Sequence, residues 1–330
     1  MLRVALFIAA MFAGAVAAQA RDVDGDPHCA GDGLASTPTG DLASVADYQD
    51  VLKICRSPGG QTLLATRAFA VGGQRGLLLV DPGALTTRLA RAACWTCEDA
   101  SEAALADTRL MRAVQTSADP PPLTARGIFT NAGLVHGATR GAYVTGDLCP
   151  SPRPLDRPFF DQLAAASPHA PVALAISGVW LERHGDDFAW LTRKRLSGAL
   201  DILWVNHSFH HPYSPTKADA HNYLLKDGVD MKREIYDTER LLIAHGETPS
   251  VFFRFPGLVS DGALMRDVRA AHLIDLGADA WLALAQRPVD GSIVLVHPNG
   301  NEEVGLRLFA RTLAAGTLPR PFEPLTAAPP

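Results

Sequence analysis

The stretch Asn206-His-Ser-Phe-His-His211-Pro212 is the densest cluster of potential metal ligands in the chain. Histidines four apart on a helical turn face the same way, so His207 and His211 could offer imidazole nitrogens to one tetrahedral or octahedral ion. Such a pair is equally what surface or core histidines produce. His210 shares no face with both and reads as an exposed neighbour. Three further segments end an apolar run in a titratable group: Tyr143-Val-Thr-Gly-Asp147-Leu-Cys-Pro150, Phe252-Phe-Arg254-Phe-Pro-Gly257 and Ile293-Val-Leu-Val-His297-Pro298. Asp147 could act as a base or simply cap the next helix. Arg254, set among apolar residues, requires a carboxylate partner if it is buried.

The elements that must position these groups alternate in period. Strand-like runs at 142–145, 172–177, 202–206, 251–254 and 293–297 are separated by segments at 159–166, 188–196, 232–245, 264–274 and 303–315, whose apolar residues recur three and four apart. This βα alternation predicts a parallel sheet or barrel. In such folds chemistry collects at the C-terminal ends of the strands, where all of these polar residues fall.

The segment from Arg21 to about Thr139 reads differently: paired strands at 62–71 and 76–80 around Gly72-Gly73, a helix from Ala84 to Ala93, and the linker Asp119-Pro-Pro-Pro122. It forms a small N-terminal extension of unassigned role, bearing Cys29, Cys55, Cys94 and Cys97. Asp22-Val-Asp24-Gly-Asp26 lacks the glycine position and closing Glu of an EF-hand loop, and reads as a solvated acidic terminus. The first twenty residues carry Arg3, an apolar run from Val4 to Ala18 and an Ala18-Gln-Ala20 site, the pattern of a cleaved secretory leader. No later run reaches the roughly 18 apolar residues of a membrane span, so no membrane anchor is expected. Export to a periplasmic or extracellular space makes disulfides among the first four of the 5 cysteines plausible, in any of three connectivities, and leaves Cys149 as a buried thiol. The CxxC pair Cys94/Cys97 follows a helix rather than a strand, so a structural bridge is expected there and not a redox dithiol.

Composition narrows the function classes. With 47% hydrophobic and 20% charged residues the chain can build a large core, and 30 Lys+Arg against 35 Asp+Glu give a net charge of −5 without a basic run to grip nucleic acid. There is no G-x-S-x-G elbow, phosphate-binding glycine loop or H-E-x-x-H helix, which removes the commonest hydrolase, nucleotide and zincin readings.

In order, these segments resemble the polysaccharide deacetylases, carbohydrate esterase family 4. Thr145-Gly-Asp-Leu-Cys-Pro150 partly matches that family's T-F-D-D-G-P, and His207-Ser-Phe-His-His-Pro212 fully matches H-[ST]-x-x-H-P. Arg254-Phe-Pro256-Gly257 matches the R-x-P-x-G turn with one residue fewer, Asp279-Ala-Trp281 the Asp-then-Trp motif, and Leu295-Val-His297 the L-x-H. The resemblance covers about residues 140 to 320 and leaves 321–330 as a Pro/Ala-rich tail. It implies a distorted (β/α) barrel of fewer than eight regular units and a divalent metal, zinc first with cobalt or nickel able to replace it.

The same resemblance implies roles: His207 and His211 as metal ligands, Asp147 as catalytic base and Arg254 as the group that orients it. His297 would be the general acid, paired with Asp279, while Trp281, Leu295 and Pro256 would line the acetyl pocket. The family's third ligand, a second Asp, is Leu148 here, so water or another group would complete the shell, and Leu148→Asp would tighten metal binding. The expected activity is hydrolysis of acetyl groups from an amino sugar or an acetylated polysaccharide. The alternatives are a catalytically attenuated carbohydrate-binding protein on the same barrel, or an exported metal-binding protein without a sugar substrate.

Overall fold

The computed structural model describes Cys29 and residues 33–34, 38–119 and 127–330. The leader and its cleavage site, the acidic segment at 22–26 and the proline run at 120–122 lie outside the described residues.

An antiparallel sheet comes first, built from β1 (Val45–Arg56), β2 (Thr62–Val71), β3 (Gln74–Val80), β4 (Thr87–Arg91) and β5 (Thr96–Asp99) in the order β4-β3-β2-β1-β5. The segment expected as a helix at 84–93 contains strand β4, registered from Val80↔Thr87 to Gly76↔Arg91. Thr86 and Thr87, β-branched and crowded in a helix, favour the strand once β3 offers an open edge. Disulfides join Cys29 to Cys94 and Cys55 to Cys97, so the CxxC cysteines bond to different partners rather than to each other.

Two short helices, α1 (Glu102–Leu105) and α2 (Arg109–Ser117), and strand β6 (Phe129–Thr130) lead to the second sheet. Its strands are β7 (Ala142–Leu148), β8 (Ala170–Ile176), β9 (Leu200–Asn206), β10 (Pro249–Phe253), β12 (Ile274–Asp275), β13 (Ala280–Trp281) and β14 (Ser292–Val296). Strand β11 (Val259–Ser260) pairs separately with β6. The seven strands run in the order β12-β10-β9-β8-β7-β14-β13, every neighbouring pair parallel, and curl into an open barrel. Around it lie α3 (Arg157–Ala166), α4 (Gly178–Arg183), α5 (Gly185–Leu196), α6 (Met231–Ala244), α7 (Gly262–Ala270) and α8 (Glu303–Ala314). The helical period expected to continue to Ile274 stops at Ala270, because Ile274 and Asp275 pair with Phe252 and Phe253 as edge strand β12.

Side chains alternate across each strand. Ala142, Val144 and Leu148 of β7, Val172, Leu174 and Ile176 of β8, and Val294 and Val296 of β14 pack outward on Phe159, Phe160, Leu163, Phe188, Leu191 and Phe309. Tyr143, Ala173, Ala175, Val205, Ile293 and Leu295 point into the barrel, where Leu325 and Ala328 join them. The Pro/Ala-rich end is therefore packed rather than trailing: Phe322 bridges Ala142, and Ala328 is fully buried.

The two sheets are tied through α6. The Arg67 guanidinium, 1% exposed, donates to both carboxylate oxygens of the fully buried Glu239 at 2.8 and 3.1 Å, and Tyr48 donates to the same carboxylate at 2.7 Å. A bidentate pair with a further donor is the arrangement in which burying two charges is tolerated. Among the described residues, no helix is long and apolar enough to cross a membrane.

Candidate active site

The inward positions continue past the strand ends, and they bring the candidate residues together. On β7 the inward series Tyr143, Thr145, Asp147 extends to Cys149; on β14 Ile293 and Leu295 extend to His297; Val205 leads to His207 and Phe252 to Arg254. Alternation with period two thus delivers five ionisable side chains to one rim. All five, and His211 beside them, are nearly enclosed: Asp147 is 3% exposed, Arg254 and His207 0%, His211 and Cys149 8%, and His297 9%.

Arg254 and Asp147 form the centre. Arg254 Nη1 donates to Asp147 Oδ1 at 2.7 Å and to Thr145 Oγ1 at 2.9 Å, while Nη2 donates to the Gly277 carbonyl at 3.0 Å. Burial pushes the Asp147 carboxyl pKa up, but Arg254, then His207 and His297, outweigh it and hold the group below the usual carboxylate range. The other oxygen, Oδ2, lies 3.6 Å from His207 Nε2 and 3.9 Å from His297 Nε2. Asp147 therefore ends a strand as an ion-paired base candidate and does not cap a helix.

His207 and His211 lie in an irregular turn and not on a helix, since Ser208 has φ 62° and His211 φ 45°. Asn206 Oδ1 accepts from the Ser208 amide at 3.0 Å and Ser208 Oγ from the His211 amide at 3.1 Å. Glu234 on α6, itself buried, accepts from the amides of Phe209 and His210 and from His210 Nδ1, at 3.0, 2.9 and 2.7 Å. A Cβ on Gly178 would stand 2.2 Å from the Phe209 ring, so glycine alone lets the turn rest on α4. His207 Nδ1 donates to the Arg254 carbonyl at 2.8 Å, which aims Nε2 at Asp147 and at Cys149 Sγ, 3.5 Å away.

The residues present fit a divalent ion. One donor atom each from Cys149, His207 and His211 lies within 4.8 Å of the others, and among the described residues neither ring nitrogen of the buried His211 has a hydrogen-bond partner. Cys149 is the free cysteine. Burial raises its thiol pKa, but His211, His207 and His297 together hold it well below the ordinary range. The expected vacancy at Leu148 has a different geometry: Leu148 faces outward, fully buried on the helix side of the sheet, where no ligand can stand.

Across the cleft His297 Nδ1 lies 2.7 Å from Glu302 Oε2, which also accepts from Trp281 Nε1 at 2.9 Å. Burial opposes protonation of His297, but Cys149, Glu302 and Asp147 raise its pKa well above the usual histidine value. Asp279, expected beside His297, is elsewhere. It accepts from Ser292 Oγ and the Ile293 amide and pairs with His136 at 2.7 Å, at the opposite end of β14. Glu302 gave no sequence signal, being a loop residue outside any period. Cys149 did give one, the two-residue spacing from Asp147 that the strand makes inward.

A cavity of about 710 Å³ opens above these groups, bordered by Cys149, His211, Trp281, His297, Glu302 and the stacked Tyr213 and Tyr223. Trp281 lines it, whereas Leu295 and Pro256 are buried and do not border it; Gly257 does.

No protein-family model matches the chain. Several solved structures that it is similar to are family 4 carbohydrate esterases, all at low identity. A family 4 carbohydrate esterase from Bacillus anthracis is 18% identical, over 59% of this chain and 86% of that one, with TM-score 0.43. One from Bacillus subtilis is 15% identical, over 69% and 89%, with TM-score 0.42. The chitin deacetylase from Colletotrichum lindemuthianum is 16% identical, over 57% and 88%, with TM-score 0.40.

Proposed function

We propose that this chain is an exported metal-dependent deacetylase acting on acetyl groups of an amino sugar or acetylated polysaccharide. One observation carries the reading: a buried carboxylate locked to a guanidinium and a histidine held by a second carboxylate face the same set of metal donors under one open cavity. The two disulfides support export.

Cys149, His207 and His211 would hold the ion. Zinc, or cobalt or nickel in its place, would supply Lewis-acid polarisation of an acetyl carbonyl and a lowered pKa for water near neutral pH. Asp147 accepts the proton of the attacking water at Oδ2, the oxygen that Arg254 leaves free. Arg254 keeps the carboxylate ionised and fixes its plane. His297, its Nδ1 held by Glu302, presents Nε2 to protonate the departing amine or alcohol. Trp281 anchors Glu302 and walls the cavity, and the exposed ring of Tyr213, stacked on Tyr223, offers a platform for a sugar face.

The test is acetate release from chitin oligomers, peptidoglycan, acetylated exopolysaccharide and acetylated xylan, with added zinc or cobalt and with a chelator. Release that the chelator stops and that Asp147→Asn lowers by about 10²-fold or more supports the reading. Glycan binding without release from any polymer would replace it with a carbohydrate-binding role.

A further inference from the structure

We infer that Cys149 binds the ion as a thiolate, completing a Cys-His-His donor set in which sulfur takes the place of the carboxylate ligand that the sequence resemblance leads one to expect. The inference rests on the metal-dependent reading above and names the ligand set of that site. Three observations carry it. Strand alternation turns Asp147 and Cys149 inward and Leu148 outward, so the third ligand position falls at 149 and not at 148. Cys149 Sγ lies 3.5 Å from His207 Nε2, and a donor atom of each of Cys149, His207 and His211 falls within 4.8 Å of the others. His211 is 8% exposed, yet among the described residues neither of its ring nitrogens has a hydrogen-bond partner, a loss that a bond to an ion shared with Cys149 removes.

The surroundings hold the thiol in place. Asn299, fully buried, donates from Nδ2 to the Cys149 carbonyl at 2.8 Å, and the other four cysteines are committed to disulfides. On binding, the thiol loses its proton to solvent and a sulfur-metal bond forms, so the site gains the single negative charge that a carboxylate would have brought. Asp147 is then free of ligand duty, and its bond to Arg254 stays intact. A soft thiolate with two imidazoles favours zinc or cobalt over magnesium, calcium or manganese, whose ligands are oxygens.

The experiment uses the full mature chain loaded with cobalt(II), and Cys149→Ser and Cys149→Asp beside it. Wild type is expected to show a near-ultraviolet sulfur-to-cobalt charge-transfer band that both variants lack. Cys149→Asp keeps one bound ion, while Cys149→Ser binds it at least about tenfold more weakly, the scale on which losing even an outer-shell partner is felt. Iodoacetamide labels Cys149 in chelated protein and not in zinc-loaded protein. A spectrum unchanged by Cys149→Ser, or equal labelling with and without zinc, overturns the inference. So does an acetyl thioester on Cys149 recovered by mass spectrometry, which would make the residue a nucleophile. Acetate release measured in parallel separates the two claims: the band without release from any glycan supports the ligand and sinks the deacetylase. Chelator-sensitive release without the band does the reverse.

Discussion

Replacing Arg254 by Met tests the centre of the site, because its guanidinium is 0% exposed and makes every polar contact inside the protein. The substitution keeps approximate length but leaves the Asp147 carboxylate, 4% exposed at its side chain, without its guanidinium partner, facing only His207 and His297, and takes away the donor to the Gly277 carbonyl. Removing one member of a buried pair costs about 3–5 kcal/mol. Adding Asp147→Asn removes the stranded charge, so the double variant should recover part of that loss, with a coupling of about 1–3 kcal/mol between the sites. Urea unfolding of the metal-free single and double variants measures the cycle, and far-ultraviolet circular dichroism confirms that each folds. Arg254→Lys, which keeps the charge but cannot reach Thr145, Asp147 and Gly277 together, serves if Arg254→Met does not fold. Additive effects, or an Arg254→Met protein as stable as wild type, would refute the claim that the buried guanidinium stabilises the Asp147 carboxylate.

Other outcomes follow from particular contacts. Glu302→Gln exchanges a charge-assisted bond to His297 for a neutral one and should lower kcat by about tenfold or more with KM little changed; an equal or larger kcat loss in Asp279→Asn would contradict the assignment. Leu148→Asp places a carboxylate among the apolar helix contacts and should destabilise the fold by about 3 kcal/mol or more without tightening zinc binding, read by urea midpoint and zinc titration. Asp275 is 1% exposed with neither oxygen hydrogen-bonded among the described residues, and burial raises its pKa well above the usual value. A carboxyl whose folded pKa is raised loses stability as pH climbs past its unfolded pKa of about 4. Asp275→Asn should therefore gain stability over wild type at pH 8 and much less at pH 4; the same difference at both would count against the buried acid.

Much of this arrangement is legible in the chain because apolar strands of a parallel barrel announce themselves and their last inward residue is a titratable one. Asp147, His207, Arg254 and His297 each follow such a run, and the structure brings them within a few ångströms. The two-residue edge strands β12 and β13 carry too short a pattern to be seen, and their pairing depends on neighbours far along the chain. Ala84–Ala93 reads as a helix only while the open edge of β3 is unknown. The partner of His297 is not legible, because Glu302 sits in a loop outside any period and only the fold decides that it, and not Asp279, lies at the His297 end of β14. Cys149 reads from the sequence only as a buried thiol, although the period that makes Asp147 inward makes it inward too.

The most direct measurement is acetate release by chelator-stripped protein as zinc is returned stepwise, on whichever acetylated glycan gives the highest rate. The account predicts no turnover without metal, a rise in proportion to zinc that levels at one ion per chain, and no rise in the His207→Ala, His211→Ala double variant. Full turnover in the stripped protein, or zinc-dependent turnover that survives loss of both histidines, would contradict it.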